Sequence, residues 1–267
     1  MGQLQAVVFD WAGTVIDHGS LAPMGVFVKT FKEFGVDITI AEARGPMGMA
    51  KRDHIKTLMS QPRIAAAWKA AHGIGPDEAA IDKVYAVFVP MNEEAVADYG
   101  TMIEGAVSAV ERLRARGMKI GSTTGYTRSI MARVLPLAAS QGYVPDNLVC
   151  AGDLAEGRPS ALMMYKTFLD LDVWPAWRVV KVDDTGVGIQ EGLNAGTWTV
   201  ALALSGNVFG LTPAQTAALA PAEFARMKAA AYAEQRRTGA HYVIDSVAEI
   251  DWVIDEIEGR LARGMRP

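Results

Sequence analysis

The sequence predicts an α/β protein: a parallel β-sheet covered by helices, with a helical segment inserted after the first strand. Two observations carry the sheet. Short apolar runs recur along the chain and stop at small or polar residues, and amphipathic helical patterns lie between them. A third carries the insertion. From about residue 21 to 99 the alternation stops and only helical patterns follow one another.

The strand-like runs come in order. Residues 4–9 stop at Asp10, 118–122 at Thr123-Thr124-Gly125, and 148–150 at Ala151-Gly152-Asp153. Residues 178–182 stop at Asp183-Asp184, 198–202 just before Ser205-Gly206, and 241–244 at Asp245. Such continuous apolar runs belong to strands covered on both faces. Between them, residues 105–116 form an amphipathic helix stopped by Gly117, and 128–139, 160–171 and 189–195 read alike. Inside the break the helical patterns cover 24–34, 39–44, 51–59, 64–71 and 76–96. The expected organisation is a discontinuous core, residues 1–18 with 102–267, and a helical cap of residues 19–101. The cap would sit over the C-terminal edge of the sheet, where open α/β sheets bind ligands.

Composition narrows the function. The 267 residues are 50% hydrophobic and 21% charged, an ordinary globular balance. Lys and Arg number 26 against 30 Asp and Glu, for a net charge of −4, so no basic footprint for nucleic acid is present. A single cysteine, Cys150, excludes an internal disulfide framework and a zinc site of several thiolates. No apolar run reaches the ~18 residues of a membrane span. The first residues lack the basic-then-apolar pattern of a secretory signal, and Gly2 lacks the following Ser or Thr of a myristoylation site. The expectation is a soluble cytoplasmic protein acting on a small molecule, without membrane or nucleic acid.

The polar strand ends point to the chemistry. Asp10, Thr124 and Asp183-Asp184 each follow a predicted strand, and Arg158 precedes a helix. In a parallel sheet these ends line one crevice. Converging carboxylates with a hydroxyl and an arginine suit a Mg2+ ion and a phosphoryl group. A carboxylate that attacks an anionic phosphorus needs a cation to screen the repulsion and an Arg or Lys to hold the phosphoryl oxygens.

The order of these residues resembles the haloacid dehalogenase superfamily, whose nucleophilic Asp closes the first strand and is followed by x-x-Gly-Thr. Here the segment is Phe9-Asp10-Trp11-Ala12-Gly13-Thr14, with Thr124, Arg158 and Asp183-Asp184 matching the later motifs. The resemblance implies a Rossmann-like core with an inserted cap. It also implies Mg2+ held by Asp10, the Ala12 carbonyl and the Asp183-Asp184 pair, with Asp184 favoured over Asp183 as the direct ligand, and phosphoryl contacts from Thr124, Gly125 and Arg158. One departure is informative. Superfamily phosphatases carry a second Asp two residues after the nucleophile, the general acid for an oxygen leaving group. Ala12 stands there, and losing that acid would cost a P–O phosphatase roughly 10²–10⁴ in rate.

The cap suggests another leaving group. In Gly45-Pro46-Met47-Gly48-Met49-Ala50-Lys51-Arg52-Asp53-His54, residues Met47, Lys51 and His54 are spaced to share a helix face. A lysine amine condenses with an aldehyde to an iminium, an electron sink that lets a carbanion leave. The stretches FDWAGT, PMGMAKRDH, GSTTGYTR, GRPSALMMYK, KVDD and EGLNAGTWTV together resemble the phosphonatases of that superfamily, which cleave the carbon–phosphorus bond of phosphonoacetaldehyde. That resemblance implies a Lys51 Schiff base and an Asp10 aspartyl-phosphate. It implies proton transfer by His54, a pocket shaped by Met47, Gly48 and Tyr126, and a homodimer through the cap. A P–O phosphatase or phosphomutase on the same fold leaves Lys51 unexplained. A silent phosphometabolite-binding protein leaves the joint presence of Asp10, Thr124, Arg158 and Asp184 unexplained. Cys150 reads as inert core, and His18, His72 and His241 show no partner spacing.

Overall fold

The computed structural model describes residues 2–267. Among them six strands form one sheet: β1 (Ala6–Phe9), β2 (Lys119–Thr124), β3 (Val149–Cys150), β4 (Val179–Asp183), β5 (Trp198–Leu202) and β6 (Tyr242–Ile244). The order is β3-β2-β1-β4-β5-β6 and every pairing is parallel. Alternation within β1 sorts the two faces. Val7 and Phe9 join one apolar cluster, and Ala6 and Val8 join another against Met164, Phe168 and Leu171. Both faces are covered, so β1 is apolar throughout, while β2 and β4 carry Ser122, Thr123, Thr124 and Lys181 buried within the same sheet.

The helices between β1 and β2 are α1 (Ala22–Glu33), α2 (Ile40–Arg44), α3 (Lys51–Ser60), α4 (Pro62–His72) and α5 (Glu78–Ala95). They share an apolar cluster that runs from Met24 to Phe88 and includes Phe27, Phe31, Ile55, Leu58 and Val84. Local chemistry sets their ends. Thr39 and Glu42 form a reciprocal capping box on α2, and the Asp77 side chain accepts the Ala80 N–H to start α5. Gly73, in the left-handed region at φ 80°, ends α4.

The remaining helices are α6 (Ala106–Ala115), α7 (Arg128–Ser140), α8 (Leu162–Leu171), α9 (Gly186–Asn194), α10 (Pro213–Ala217), α11 (Pro221–Arg237) and α12 (Ile250–Ala262). The α/β architecture with its helical insertion is as the sequence predicts. Two local readings need correction. Helix α9 starts three residues before the expected 189 because Thr185 caps it, accepting the Gly188 N–H. Its glycines resemble a loop but serve packing: a Cβ on Gly188 would lie 2.0 Å from Asp183 Oδ2. Met47 is not on the helix with Lys51 and His54. Gly48 takes φ 90° and α3 begins only at Lys51, so Met47 sits in the preceding turn.

Candidate active site

Parallel pairing brings the strand ends to one edge. Phe9 pairs with Ser122 on one side and Val182 on the other, so the next residue, Asp10, stands level with Thr123 and Asp183. The Asp10 N–H donates to Val182 O at 3.0 Å and fixes that level. Trp11 then turns inward, its indole N–H donating to Ser122 Oγ. At the end of β2 the Thr124 hydroxyl accepts the Tyr126 N–H at 3.1 Å. Asp10, Ala12, Thr124, Gly125, Tyr126 and Arg158 line a cavity of about 20 Å³, closed from the insertion side by Pro23, Met47, Gly48 and Lys51. That volume holds about one water molecule.

Beneath the cavity lies a buried ionic network. Arg158 donates from Nη2 to Asp10 Oδ1 at 2.9 Å and to Thr123 O at 2.8 Å, and from Nε to Glu191 Oε2 at 3.1 Å. Lys181, inside β4, reaches Thr123 Oγ1 at 2.7 Å, Asp183 Oδ2 at 3.1 Å and Glu191 Oε2 at 3.2 Å. Arg158 Nη1 is buried with no hydrogen-bond partner. That donor is available to a phosphoryl oxygen, and an arginine fork suits such a group.

The carboxylates do not balance without a further cation. Oxygens of Asp10, Asp183 and Asp184 lie within 4.8 Å of one another. With Glu191 they make four buried acids against three buried cations, Arg158, Lys181 and Lys51. Burial pushes Asp10 up to about 6, the Asp183 charge adding to it and Arg158 opposing. Burial, then Asp10 and Asp183, push Asp184 well above the usual carboxylate range. Burial acts on Asp183 too, but Arg158, Lys181 and hydrogen bonds from Thr185 outweigh it and hold that carboxyl low. The oxygens differ accordingly. Asp183 Oδ1 accepts from Thr185 N and Oγ1 and its Oδ2 faces Arg158 and Lys181, whereas Asp184 Oδ1 has no hydrogen-bond partner. The donor set fits a hard divalent cation, with Asp10 and Asp184 the pair free to take it.

The insertion supplies an amine. Lys51 is 3% exposed, and its Nζ lies 5.0 Å from the centre of the Tyr126 ring, 5.8 Å from that of Phe27 and 4.0 Å from Met47 Sδ. Burial takes its ammonium down to about 8, with Asp10 opposing the shift. Gly48 and Gly125 let the two parts meet: a Cβ on Gly125 would lie 2.9 Å from the carbonyls of Gly48 and Met49. His54 is fully buried but does not line the cavity. Its Nε2 is 2.8 Å from Ala43 O, its ring stacks on Phe27, and burial with the Lys51 charge keeps it neutral.

A family profile described as haloacid dehalogenase-like hydrolase matches residues 4–196. The chain is 57% identical to the phosphonoacetaldehyde hydrolase of Paraburkholderia xenovorans over 267 residues, the whole of both chains. It is 43% identical over 269 aligned positions, again the whole of both, to the phosphonoacetaldehyde hydrolase of Klebsiella pneumoniae. The chain belongs to the phosphonoacetaldehyde hydrolase family. A crystal structure of a phosphonoacetaldehyde hydrolase-like protein from Oleispira antarctica superposes at TM-score 0.98 and 42% identity, covering 100% of this chain and 96% of that one.

In this member of the phosphonoacetaldehyde hydrolase family, most residues singled out from sequence meet at one cavity: Asp10, Ala12, Met47, Gly48, Lys51, Thr124, Gly125, Tyr126 and Arg158. Asp184 adjoins through the acidic cluster, and His54 stands outside the lining. Sequence reasoning misses three others. Ser20, at φ 51°, lines the cavity with a buried hydroxyl that has no partner. Lys181 and Glu191 hold Arg158 and Asp183 from below. Both lie inside stretches that carry the resemblance, KVDD and EGLNAGTWTV, and a lysine inside an otherwise apolar strand is a further signal.

Proposed function

We propose that the protein hydrolyses the carbon–phosphorus bond of phosphonoacetaldehyde to acetaldehyde and phosphate. The observation that carries this is a buried Lys51 amine over the same cavity as Asp10 and Arg158, where no acid stands at position 12. The neutral Lys51 amine condenses with the aldehyde and takes up one proton, releasing water and leaving a protonated imine. At pH 7 roughly a tenth of an amine with a pKa of about 8 is neutral. The Asp10 carboxylate attacks phosphorus in line. The P–C bonding electrons enter the imine, giving an enamine on Lys51 and an acyl phosphate on Asp10. Water hydrolyses the acyl phosphate to phosphate. The enamine takes a proton on carbon, and water releases acetaldehyde and the free amine.

Arg158, through Nη2 on Asp10 and its unpartnered Nη1, holds nucleophile and phosphoryl group together. Thr124 and Gly125 bound the phosphoryl end, and Met47, Gly48 and Tyr126 wall the aldehyde end. Asp10, Asp184 and the Ala12 carbonyl would hold Mg2+, which would supply positive charge to screen the approach of carboxylate to phosphonate. His54 acts on protons near the imine only by relay, since it lies behind Lys51 on the Phe27 ring. In this reading residues 19–101 are the cap, residues 1–18 with 102–267 are the core, and two copies pair through the cap. A P–O phosphatase is disfavoured, because a buried neutral amine has no task in ester cleavage.

The test is product release. With phosphonoacetaldehyde and Mg2+, acetaldehyde and phosphate should appear in equal amounts, and Lys51→Arg should abolish both, since a guanidinium forms no imine. Full activity in that variant, or phosphate from phosphate esters but none from phosphonoacetaldehyde, would overturn the proposal.

A further inference from the structure

Arg44 closes α2 in the helical insertion, yet its guanidinium bonds to loops that flank the sheet. Nη1 donates to Gly19 O at 3.0 Å, to Asn207 O at 2.9 Å and to Asn207 Oδ1 at 3.0 Å, and Nη2 donates to Gly210 O at 3.0 Å. Asn207 Nδ2 returns a hydrogen bond to Arg44 O at 3.3 Å. The loop is shaped to admit this group. Gly210 takes φ 67°, and a Cβ there would lie 2.6 Å from Arg44 Cζ. On its other side the same loop holds Asp184. The Asn207 N–H donates to Asp184 Oδ2 at 2.7 Å, and a Cβ on Gly206 would lie 2.3 Å from Asp184 Cβ.

One residue therefore separates a grip from the insertion and a grip on the acidic cluster. We propose that Arg44 is a positioning residue that couples the seating of the helical insertion to the orientation of Asp184. Its guanidinium fixes the 205–210 loop, the loop fixes Asp184 Oδ2, and Asp184 Oδ1 is left for the metal. This rests on the reading of Asp184 as a Mg2+ ligand. Outer contacts of this kind typically govern metal affinity by ten- to a hundredfold. The coupling is reciprocal by thermodynamic necessity: a seated insertion favours the metal, and the metal favours a seated insertion.

Calorimetric titration of Mg2+ into the full-length protein, without substrate, tests it. Arg44→Met should weaken Mg2+ binding about tenfold or more. Gly210→Ala should do likewise although the arginine is still present, because it occupies the space of the guanidinium. Asp184→Asn is the control for the metal site. In a second measurement on the unmodified protein, added Mg2+ should slow amide hydrogen exchange across residues 40–60, and in Arg44→Met it should not. If Asp184→Asn weakens binding while Arg44→Met and Gly210→Ala leave it unchanged, the coupling is overturned and the metal site stands. If exchange in the unmodified protein ignores Mg2+, the coupling is overturned even where a variant fails to fold. If Asp184→Asn binds Mg2+ as well as the unmodified protein, the metal reading falls and the coupling with it.

Discussion

Lys51 and Asp10 are perturbed in opposite directions by one cause. Burial destabilises whichever form is charged, so it takes the amine down to about 8 and the carboxyl up to about 6. Each shift has a consequence for rate. In the proposed mechanism the amine reacts when neutral, so kcat/KM for phosphonoacetaldehyde should climb with pH and level off above about 8. The carboxylate reacts when ionised, so a second limb should fall away on the acid side, below about 6 and lower still with Mg2+ bound. A profile flat between about pH 7 and 9 would contradict an amine nucleophile with this pKa. These two residues, with Arg158 and Ala12, are legible in the sequence because short motifs fix their neighbours. Ser20 is not, because a lone serine after Gly19 gives no pattern and its place on the cavity depends on a left-handed backbone.

At the scale of elements, β4 and α9 form one unit. Val180 and Val182 face the main apolar cluster, which turns Lys181 to the other side, against Glu191 of α9. Glu191 Oε2 then receives Lys181, Arg158 and Thr123 at once. Removing one member of such a buried network typically costs about 3–5 kcal/mol, because the remaining charges are stranded. Glu191→Gln should therefore lower the urea midpoint by an amount worth about 3 kcal/mol and reduce turnover through Arg158. An unchanged midpoint would show that the network carries no weight. Legibility also differs between helices. The stripe Ile250, Val253, Ile254, Ile257 and Leu261 marks α12 openly, although an argument built on strand–helix alternation passes over it. Helix α11 is obscure for a physical reason: among its 17 residues only Ala231 and Gln235 are buried, so no apolar stripe forms.

In the proposed mechanism the whole molecule divides the reaction between two parts. The insertion brings Lys51 and the sheet brings Asp10, and a cavity of about 20 Å³ is too small to admit a substrate without opening. The break in alternation near residues 21–99 is visible in sequence, but the fit of the two parts is not, because it rests on backbone meeting backbone at Gly48 and Gly125. Gly125→Ala should keep the fold while lowering kcat/KM about a hundredfold, since the added Cβ must push the Gly48 and Met49 carbonyls away and a displacement near 1 Å can cost that much. Unchanged kinetics would mean that closure at this contact is irrelevant to rate. The division of labour is tested most directly by reducing the reaction with borohydride in the presence of phosphonoacetaldehyde and mapping the adduct by peptide mass spectrometry. A stable two-carbon modification on Lys51 is expected, present in the unmodified protein and absent from Lys51→Arg. An active enzyme that yields no adduct, or one modified at another lysine, would contradict the imine on which the mechanism depends.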